Sequence, residues 1–228
     1  MKGDAGRRRS FFDRVWVALV WRYLSHSLML GLAMLNEMRA APKLPDSVLC
    51  VVPYTKWVAD HNYGLWLLAY FPPALWLWRL DRHRFLHFLY LGGVLSLVRG
   101  VCILMTGLGP VVGEDVNAGM SMATATHAWW ALVNPVGALP GDAPNIYLTK
   151  DLFFSGHTST TFLLLLYCWS KPRLRWLALA GHLFVVCTVF LAHLHYTIDV
   201  VGAYAITYTA FVVVNRRFPI DGGTAAGA

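Results

Sequence analysis

Residues 86–108, LHFLYLGGVLSLVRGVCILMTGL, decide the fold. At ~1.5 Å of rise per residue, about 20 mostly apolar residues cross the roughly 30 Å hydrocarbon core of a bilayer, and this stretch meets that length. Further apolar stretches lie on either side of it, near 15–36, 62–80, 152–169, 174–193 and 196–214. Across 228 residues the chain is 57% hydrophobic and only 14% charged, too apolar for an ordinary soluble domain, so lipid is expected to be the solvent for much of it. The expected fold is all-α: a polytopic bundle of six transmembrane helices forming a single domain over 1–217. The first helix is interrupted by Arg14, Arg22 and His26, and an amphipathic helix lying on the membrane is the alternative there. A cleavable signal peptide fits poorly, because the basic start is followed by a run broken by Arg22 with no clear small-residue cleavage site. Cys102, Cys168 and Cys187 fall in apolar stretches and Cys50 in a loop, so no disulfide is expected.

The basic residues alternate with the apolar stretches. Lys2, Arg7, Arg8 and Arg9 precede the first helix, in a basic N-terminal segment 1–13. Arg79, Arg82 and Arg84 join the second and third, Lys171, Arg173 and Arg175 join the fourth and fifth, and Arg216 and Arg217 follow the sixth. The opposite side holds Arg39, Lys43, Lys56 and Lys150 among acids that include Asp46, Asp60, Glu114, Asp115, Asp142 and Asp151. The positive-inside bias therefore places both termini in the cytoplasm and the long 109–151 loop outside it. The net charge of +7 reads as membrane topology instead of a nucleic-acid stripe. With Pro110, Pro135, Pro140, Pro144, Trp129 and Trp130, the 109–151 loop is expected to form a partly irregular cap at the headgroup level, either a connector or a lid. The end, 218–228, is expected to be a short flexible tail.

Ionisable side chains inside a membrane cost about 2.5 to 3.5 kcal/mol each on insertion scales, so those present need a reason. Arg99 lies about 22 Å along its helix from Arg84, in the outer part of the bilayer. The next helix enters from the same outer side through Phe154-Ser155-Gly156-His157-Thr158, and the last through His193-Leu194-His195-Tyr196-Thr197-Ile198-Asp199. Residues far apart in the chain thus reach one depth. His195 and Asp199 stand four apart on one helix face, so the carboxylate can orient one ring nitrogen and raise the basicity of the other. Such a histidine can attack phosphorus, and His157 is the candidate acid for the departing oxygen. Ser155 and Gly156 would present free N–H groups at a helix N-terminus to a phosphate oxygen, with Arg99 as fixed cation.

Other readings compete. A single histidine at a helix end is more often interfacial than catalytic, Arg99 alone could snorkel, and His193, His195 and Asp199 could ligate zinc or manganese. A transporter using the intramembrane charges as a pathway would need a matching set in the cytoplasmic half, where only Arg22 occurs.

Two segments resemble a known family. Ala192-His193-Leu194-His195-Tyr196-Thr197-Ile198-Asp199-Val200, with Ala203-Tyr204 after it, is similar to the Ala-His-x-His-Tyr-Thr-x-Asp-Val stretch of the sphingomyelin synthase-related family, a branch of the type 2 phosphatidic acid phosphatase superfamily. Asp151-Leu152-Phe153-Phe154-Ser155-Gly156-His157-Thr158 is similar to that family's Gly-Asp-x-Leu-Phe-Ser-Gly-His-Thr motif. Leu44-Pro45-Asp46 and Arg99 with Thr106 and Pro110 are weaker echoes. The resemblance implies His195 as nucleophile, Asp199 as its partner, His157 as acid, a site on the extracytoplasmic side, and no metal or other cofactor. It also implies transfer of a phospho-headgroup from a glycerophospholipid to ceramide or a similar lipid alcohol, releasing diacylglycerol. Some relatives instead hydrolyse the donor, so a lipid phosphatase or phospholipase C-type hydrolase is the alternative.

Lys150 departs from the family by replacing a glycine next to Asp151. Lys150, Asp151 and Tyr204 join Arg99, Ser155 and Gly156 as candidate substrate-binding residues. Val189 replaces the arginine that the wider superfamily has six residues before the nucleophile, which favours transferase over simple phosphatase. The expected partners are lipid substrates and the membrane, with no nucleic acid. The expected setting is a bacterial inner membrane, or a Golgi or plasma membrane in a eukaryote.

Overall fold

The computed structural model describes residues 2–134 and 148–219, with side chains from residue 14 onward. Its described residues form helices and turns without strands: α1 Lys2–Glu37, α2 Lys56–Leu80, α3 Arg82–Thr106, α4 Met122–Val133, α5 Gly156–Cys168, α6 Pro172–Leu191 and α7 Thr197–Arg217. Four segments are long and apolar enough to cross a membrane, Arg14–Glu37, Arg82–Thr106, Pro172–Leu191 and Thr197–Arg217, and the chain is a multi-pass membrane protein. The first segment thus has the length and composition of a span, and Arg22 is accommodated by turning inward, where its Nη1 donates to Ser96 Oγ at 2.5 Å. Two of the six expected spans do not meet that standard. Helix α2 carries Pro72 and Pro73 and is less apolar, and α5 has 13 residues, about 20 Å of rise against a ~30 Å core. The flexible tail expected beyond residue 219 and the prolines at 135, 140 and 144 lie outside the described residues.

Helix α3 is bounded by its own sequence. Asp81 accepts from the Arg84 N–H at 3.1 Å to cap the start, and Gly107 turns left-handed with φ of 53° to end it. Helix α1 packs along α3 because glycines clear the way: a Cβ on Gly93 would meet the Trp21 ring, and one on Gly100 would meet Leu32. The core runs between α2, α3, α5, α6 and α7 through Leu77, Phe88, Leu163, Leu164, Tyr167, Leu174 and Ala203. Helix α5 sits at the centre of these.

The 109–151 loop contains α4, a helix folded back on α1. The Trp129 indole donates to the Ser27 carbonyl at 2.7 Å, and the Tyr23 hydroxyl to the Val133 carbonyl at 2.6 Å. Residues 148–151 then return to the end of α1. There Glu37, fully buried, accepts from the Lys150 N–H, from Thr149 Oγ1 at 2.8 Å and from Asn117 Nδ2 at 2.7 Å. A carboxylate at a helix C-terminus opposes the dipole, so these donors are what hold it there.

Candidate active site

Helix α5 begins later than its apolar run implies, at Gly156 instead of near 152, because the segment before it is held in a non-helical form. Arg99 does the holding from within α3. Its Nε donates to the Phe154 carbonyl at 2.5 Å, its Nη2 to the Asp151 carbonyl at 2.9 Å, and its Nη1 pairs with Asp151 Oδ1 at 2.8 Å. The side chain is almost wholly buried, and a planar guanidinium fork suits three such acceptors where an ammonium would not. Gly156 lies against it: a Cβ there would stand 3.2 Å from the guanidinium carbon. Ser155 caps α5 by accepting from the Thr158 N–H at 3.4 Å, and its own N–H donates to the Asp199 carbonyl at 3.1 Å. That last bond ties the start of α5 to the start of α7.

Asp199 is the third residue of α7, and its Oδ2 accepts from the Tyr196 N–H at 2.9 Å, closing the first turn. The same oxygen lies 3.4 Å from His195 Nδ1, within ion-pair reach but outside hydrogen-bond geometry. Asp199 Oδ1 and His195 Nδ1 have no hydrogen-bond partner among the described residues, although both residues are buried. Hydrogen bonds of this kind are often long before substrate binds and tighten on it. The His157 ring faces that of His195 with centroids 6.4 Å apart, and Trp66 packs edge-on against His157 at 5.5 Å.

Outside the helices, Asp46 caps α7 from the 39–55 loop. It accepts from the Thr197 N–H at 2.5 Å and Thr197 Oγ1 at 2.9 Å, and from Val48 and Leu49 N–H groups at 3.0 and 3.2 Å. Partial burial pushes its carboxyl upward, but these bonds outweigh that and hold it below the usual carboxylate range. Open clefts of about 330 and 250 Å³ flank this loop, one lined by Asp46, Thr197, Ile198 and Val201 and the other by Lys43, Cys50, His193 and Tyr196. Neither lies between the two facing imidazoles.

The structure brings His157, His195, Asp199, Ser155, Gly156, Asp151 and Arg99 to one end of the bundle. It does not bring Lys150 there. That side chain is fully buried with Nζ 2.5 Å from Asp115 Oδ1 and 2.7 Å from the Arg39 carbonyl, turned into the cluster around Glu37. Tyr204 lies deeper, its hydroxyl 2.7 Å from His182 Nε2. No cluster of three or more His, Cys, Asp or Glu able to hold a metal occurs among the described residues. Sequence reasoning noted Asp46 only as a weak family echo and missed its partner Thr197, 151 residues away, and it passed over His182, whose signal was a lone imidazole in the middle of an apolar helix.

Two comparisons place this arrangement. Residues 150–216, from the Arg99-held segment through α7, match the PAP2 superfamily C-terminal family. Phosphatidylcholine:ceramide cholinephosphotransferase 2 of Rattus norvegicus is 30% identical over 192 residues, covering 73% of this chain and 48% of that protein. The Homo sapiens protein of the same name is 29% identical over 188 residues, with the same coverage, and cholinephosphotransferase 1 of Caenorhabditis elegans is 27% identical over 179 residues, 72% of this chain and 37% of that protein. The chain spans about half the length of the mammalian relatives it matches. Both comparisons agree with the resemblance read from the 151–158 and 192–200 segments: the chain is similar to the cholinephosphotransferases over about three quarters of its length, and its residues 150–216 match the PAP2 superfamily C-terminal family.

Proposed function

We propose that this chain is a lipid phosphotransferase, moving a phospho-headgroup from a glycerophospholipid to ceramide or a similar lipid alcohol. The observation that carries this reading is the His157, His195 and Asp199 geometry: two imidazoles facing each other across 6.4 Å, one of them 3.4 Å from a carboxylate with an unused oxygen. His195 attacks the donor phosphorus through Nε2 while Asp199 stabilises the positive charge arising on the ring. The bond from phosphorus to the glycerol oxygen breaks, and His157 gives that oxygen a proton, releasing diacylglycerol. His157, now a base, takes the proton of the acceptor hydroxyl. The resulting oxygen attacks the phosphohistidine, the P–N bond breaks, and His195 returns neutral. Arg99 acts mainly by fixing the 151–156 segment, and its charge lowers the potential where anionic oxygens gather.

The relatives' names support a cholinephosphotransferase-like donor and a ceramide acceptor for this site. The PAP2 match supports hydrolysis as the second reading, in which water replaces the lipid alcohol and the products are diacylglycerol and free phospho-headgroup. In this proposal α2 and α5 complete six spans, the irregular 150–155 segment adding to the reach of α5. The turn before α3 and the turn before α6 meet at one end, with Lys171 Nζ 3.1 Å from Asp81 Oδ2, and the helix ends that flank them carry Arg79, Arg82, Arg84, Arg173 and Arg175. That end faces the cytoplasm by the positive-inside bias, which puts the histidines at the extracytoplasmic face.

Purified protein in mixed micelles of phosphatidylcholine, phosphatidylethanolamine and phosphatidylinositol, with and without ceramide and with EDTA present, tests this by mass spectrometry of all lipid products. A ceramide-dependent phospholipid is expected. Diacylglycerol and free phospho-headgroup regardless of ceramide would make it a hydrolase, and loss of all turnover in EDTA would replace the histidine mechanism with a metal-dependent one.

A further inference from the structure

One turn below His157, between α5, α6 and α7, polar groups form an unbroken line that the transfer chemistry does not use. Tyr204 Oη lies 2.7 Å from His182 Nε2, His182 Nδ1 lies 2.9 Å from Thr161 Oγ1, and Thr161 Oγ1 lies 3.0 Å from the His157 carbonyl oxygen. His182 and Thr161 are each 3% exposed, and Phe162 covers the line, with its ring 5.6 Å from that of His182 and 4.8 Å from that of Tyr204. A histidine in the middle of an apolar helix, with both ring nitrogens engaged, needs an explanation that a hydrophobic contact does not supply.

Two hydrogen arrangements fit these distances. In the first, Tyr204 donates to Nε2, Nδ1–H donates to Thr161, and the Thr161 hydroxyl donates to the His157 carbonyl. In the second, Thr161 donates to Nδ1 and Nε2–H donates to Tyr204. The first uses each donor once. The second turns the Thr161 hydrogen away from the helix carbonyls, of His157 at 3.0 Å and Thr158 at 3.3 Å, and leaves the Tyr204 hydrogen without an acceptor among the described residues. Unused donors in a low-dielectric interior are disfavoured, so the first arrangement wins. It requires the Nδ1–H tautomer, the less populated one for a free neutral imidazole, so the protein imposes it.

A line that ends on a backbone carbonyl has no group to hand a proton to, so it is no proton wire. What it can do is hold that carbonyl. We propose that His182, in the Nδ1–H tautomer and acting through Thr161, is a positioning residue that fixes the first turn of α5 and so the placing of the His157 imidazole opposite His195. This role rests on the reading of His157 as the acid and base of the transfer.

Two substitutions at His182 separate the arms. His182→Asn keeps a side-chain N–H near the Nδ1 position, and His182→Gln keeps an acceptor near the Nε2 position. His182→Asn is expected to retain kcat within about threefold, while His182→Gln and Thr161→Val lower kcat by about tenfold or more with KM unchanged, and Thr161→Ser restores it. Nitrogen-15 NMR of histidine-labelled full-length protein in micelles, assigned by the signal lost in His182→Asn, reads the tautomer without any substrate. A protonated Nδ1 and bare Nε2 are expected; a protonated Nε2 overturns the proposal. Equal losses in the Asn and Gln variants, or losses in kcat that follow a fall in thermal stability, overturn it as well, because packing alone would then explain them. A His157→Ala protein with normal turnover would overturn the catalytic reading and the positioning role with it, whereas the wrong tautomer with an inactive His157→Ala protein overturns the positioning role alone.

Discussion

Two of the places where this bundle buries charge treat it in opposite ways. At the end of α1, Glu37 accepts three hydrogen bonds and Lys150 donates to both Asp115 and the Arg39 carbonyl, so each of these charged groups has several partners within the protein. At the start of α7, His195 Nδ1 and Asp199 Oδ1 are buried with no hydrogen-bond partner among the described residues. Under the proposed function the contrast separates structure from chemistry. A cluster saturated in this sense, with each charged group partnered inside the protein, holds the α4-bearing loop to the helix end. An unsaturated pair keeps bonding capacity in reserve, and a protein tolerates that cost where a substrate will use it.

The contrast breaks or sharpens under substitution. The largest effect is expected at the unsaturated pair: His195→Ala should lower turnover by more than about 10³-fold and Asp199→Asn by about as much, with the proteins still inserted and thermal stability changed by only a few degrees. Normal product formation by either would remove the chemical meaning of the unused atoms. Next is Arg99→Lys, where a point charge replaces the fork that grips the Phe154 and Asp151 carbonyls. About a 10²-fold drop in kcat/KM is expected even though the positive charge survives, and an active lysine variant would show that charge alone is needed.

At the saturated cluster the effect should be on stability. Glu37→Ala removes one acceptor shared by three donors and is expected to cost about 3 kcal/mol, read by thermal unfolding in micelles, while kcat of the folded fraction stays near wild type. Loss of kcat without loss of stability would put Glu37 in the site and undo the distinction. The smallest effect concerns Asp46, which lies on the partly exposed loop that caps α7. Its folded-state carboxyl is held low by hydrogen bonds, so the stability it adds is complete above the unfolded value of about 3.9 and is lost as pH falls through the lower folded value. Stability of the wild type should therefore fall with acid below about pH 4, and Asp46→Asn should flatten that limb. A variant that keeps the same acid profile would show that the loop contacts do not depend on this charge.

Much of the site was legible because intramembrane charge is costly and helix geometry is regular. Arg99 at a matching distance along α3 follows from helical rise, and the structure places it at the same end of the bundle as His195 and Asp199. His195, however, stands outside α7, two residues before its first residue, so it approaches Asp199 to 3.4 Å through the turn that leads into α7 and not as a neighbour on one helix face. Helix α4 was not legible. Its 12 residues sit in a loop whose prolines and glycines read as irregular, and its stability comes from Trp129 and Ala125 packed against α1, a contact no local pattern announces. The short reach of α5 was also missed, because the apolar Leu152, Phe153 and Phe154 look helical until Arg99 takes the Phe154 carbonyl.

By itself the sequence determined an all-helical membrane chain, the order of its apolar segments, and the two segments that carry the family resemblance, since each depends on properties of neighbouring residues along the chain. Only the tertiary structure decided which partner each polar group finds. Lys150 and Asp151 are adjacent, yet one turns to Asp115 and the other to Arg99, because outside a helix consecutive side chains leave the backbone on different sides and meet different segments. The same holds for His182, which becomes part of a directed line to His157 only once α5, α6 and α7 pack together. Hydrogen bonds are short-ranged and directional, so their pairing belongs to the packed bundle and cannot be read from the order of residues.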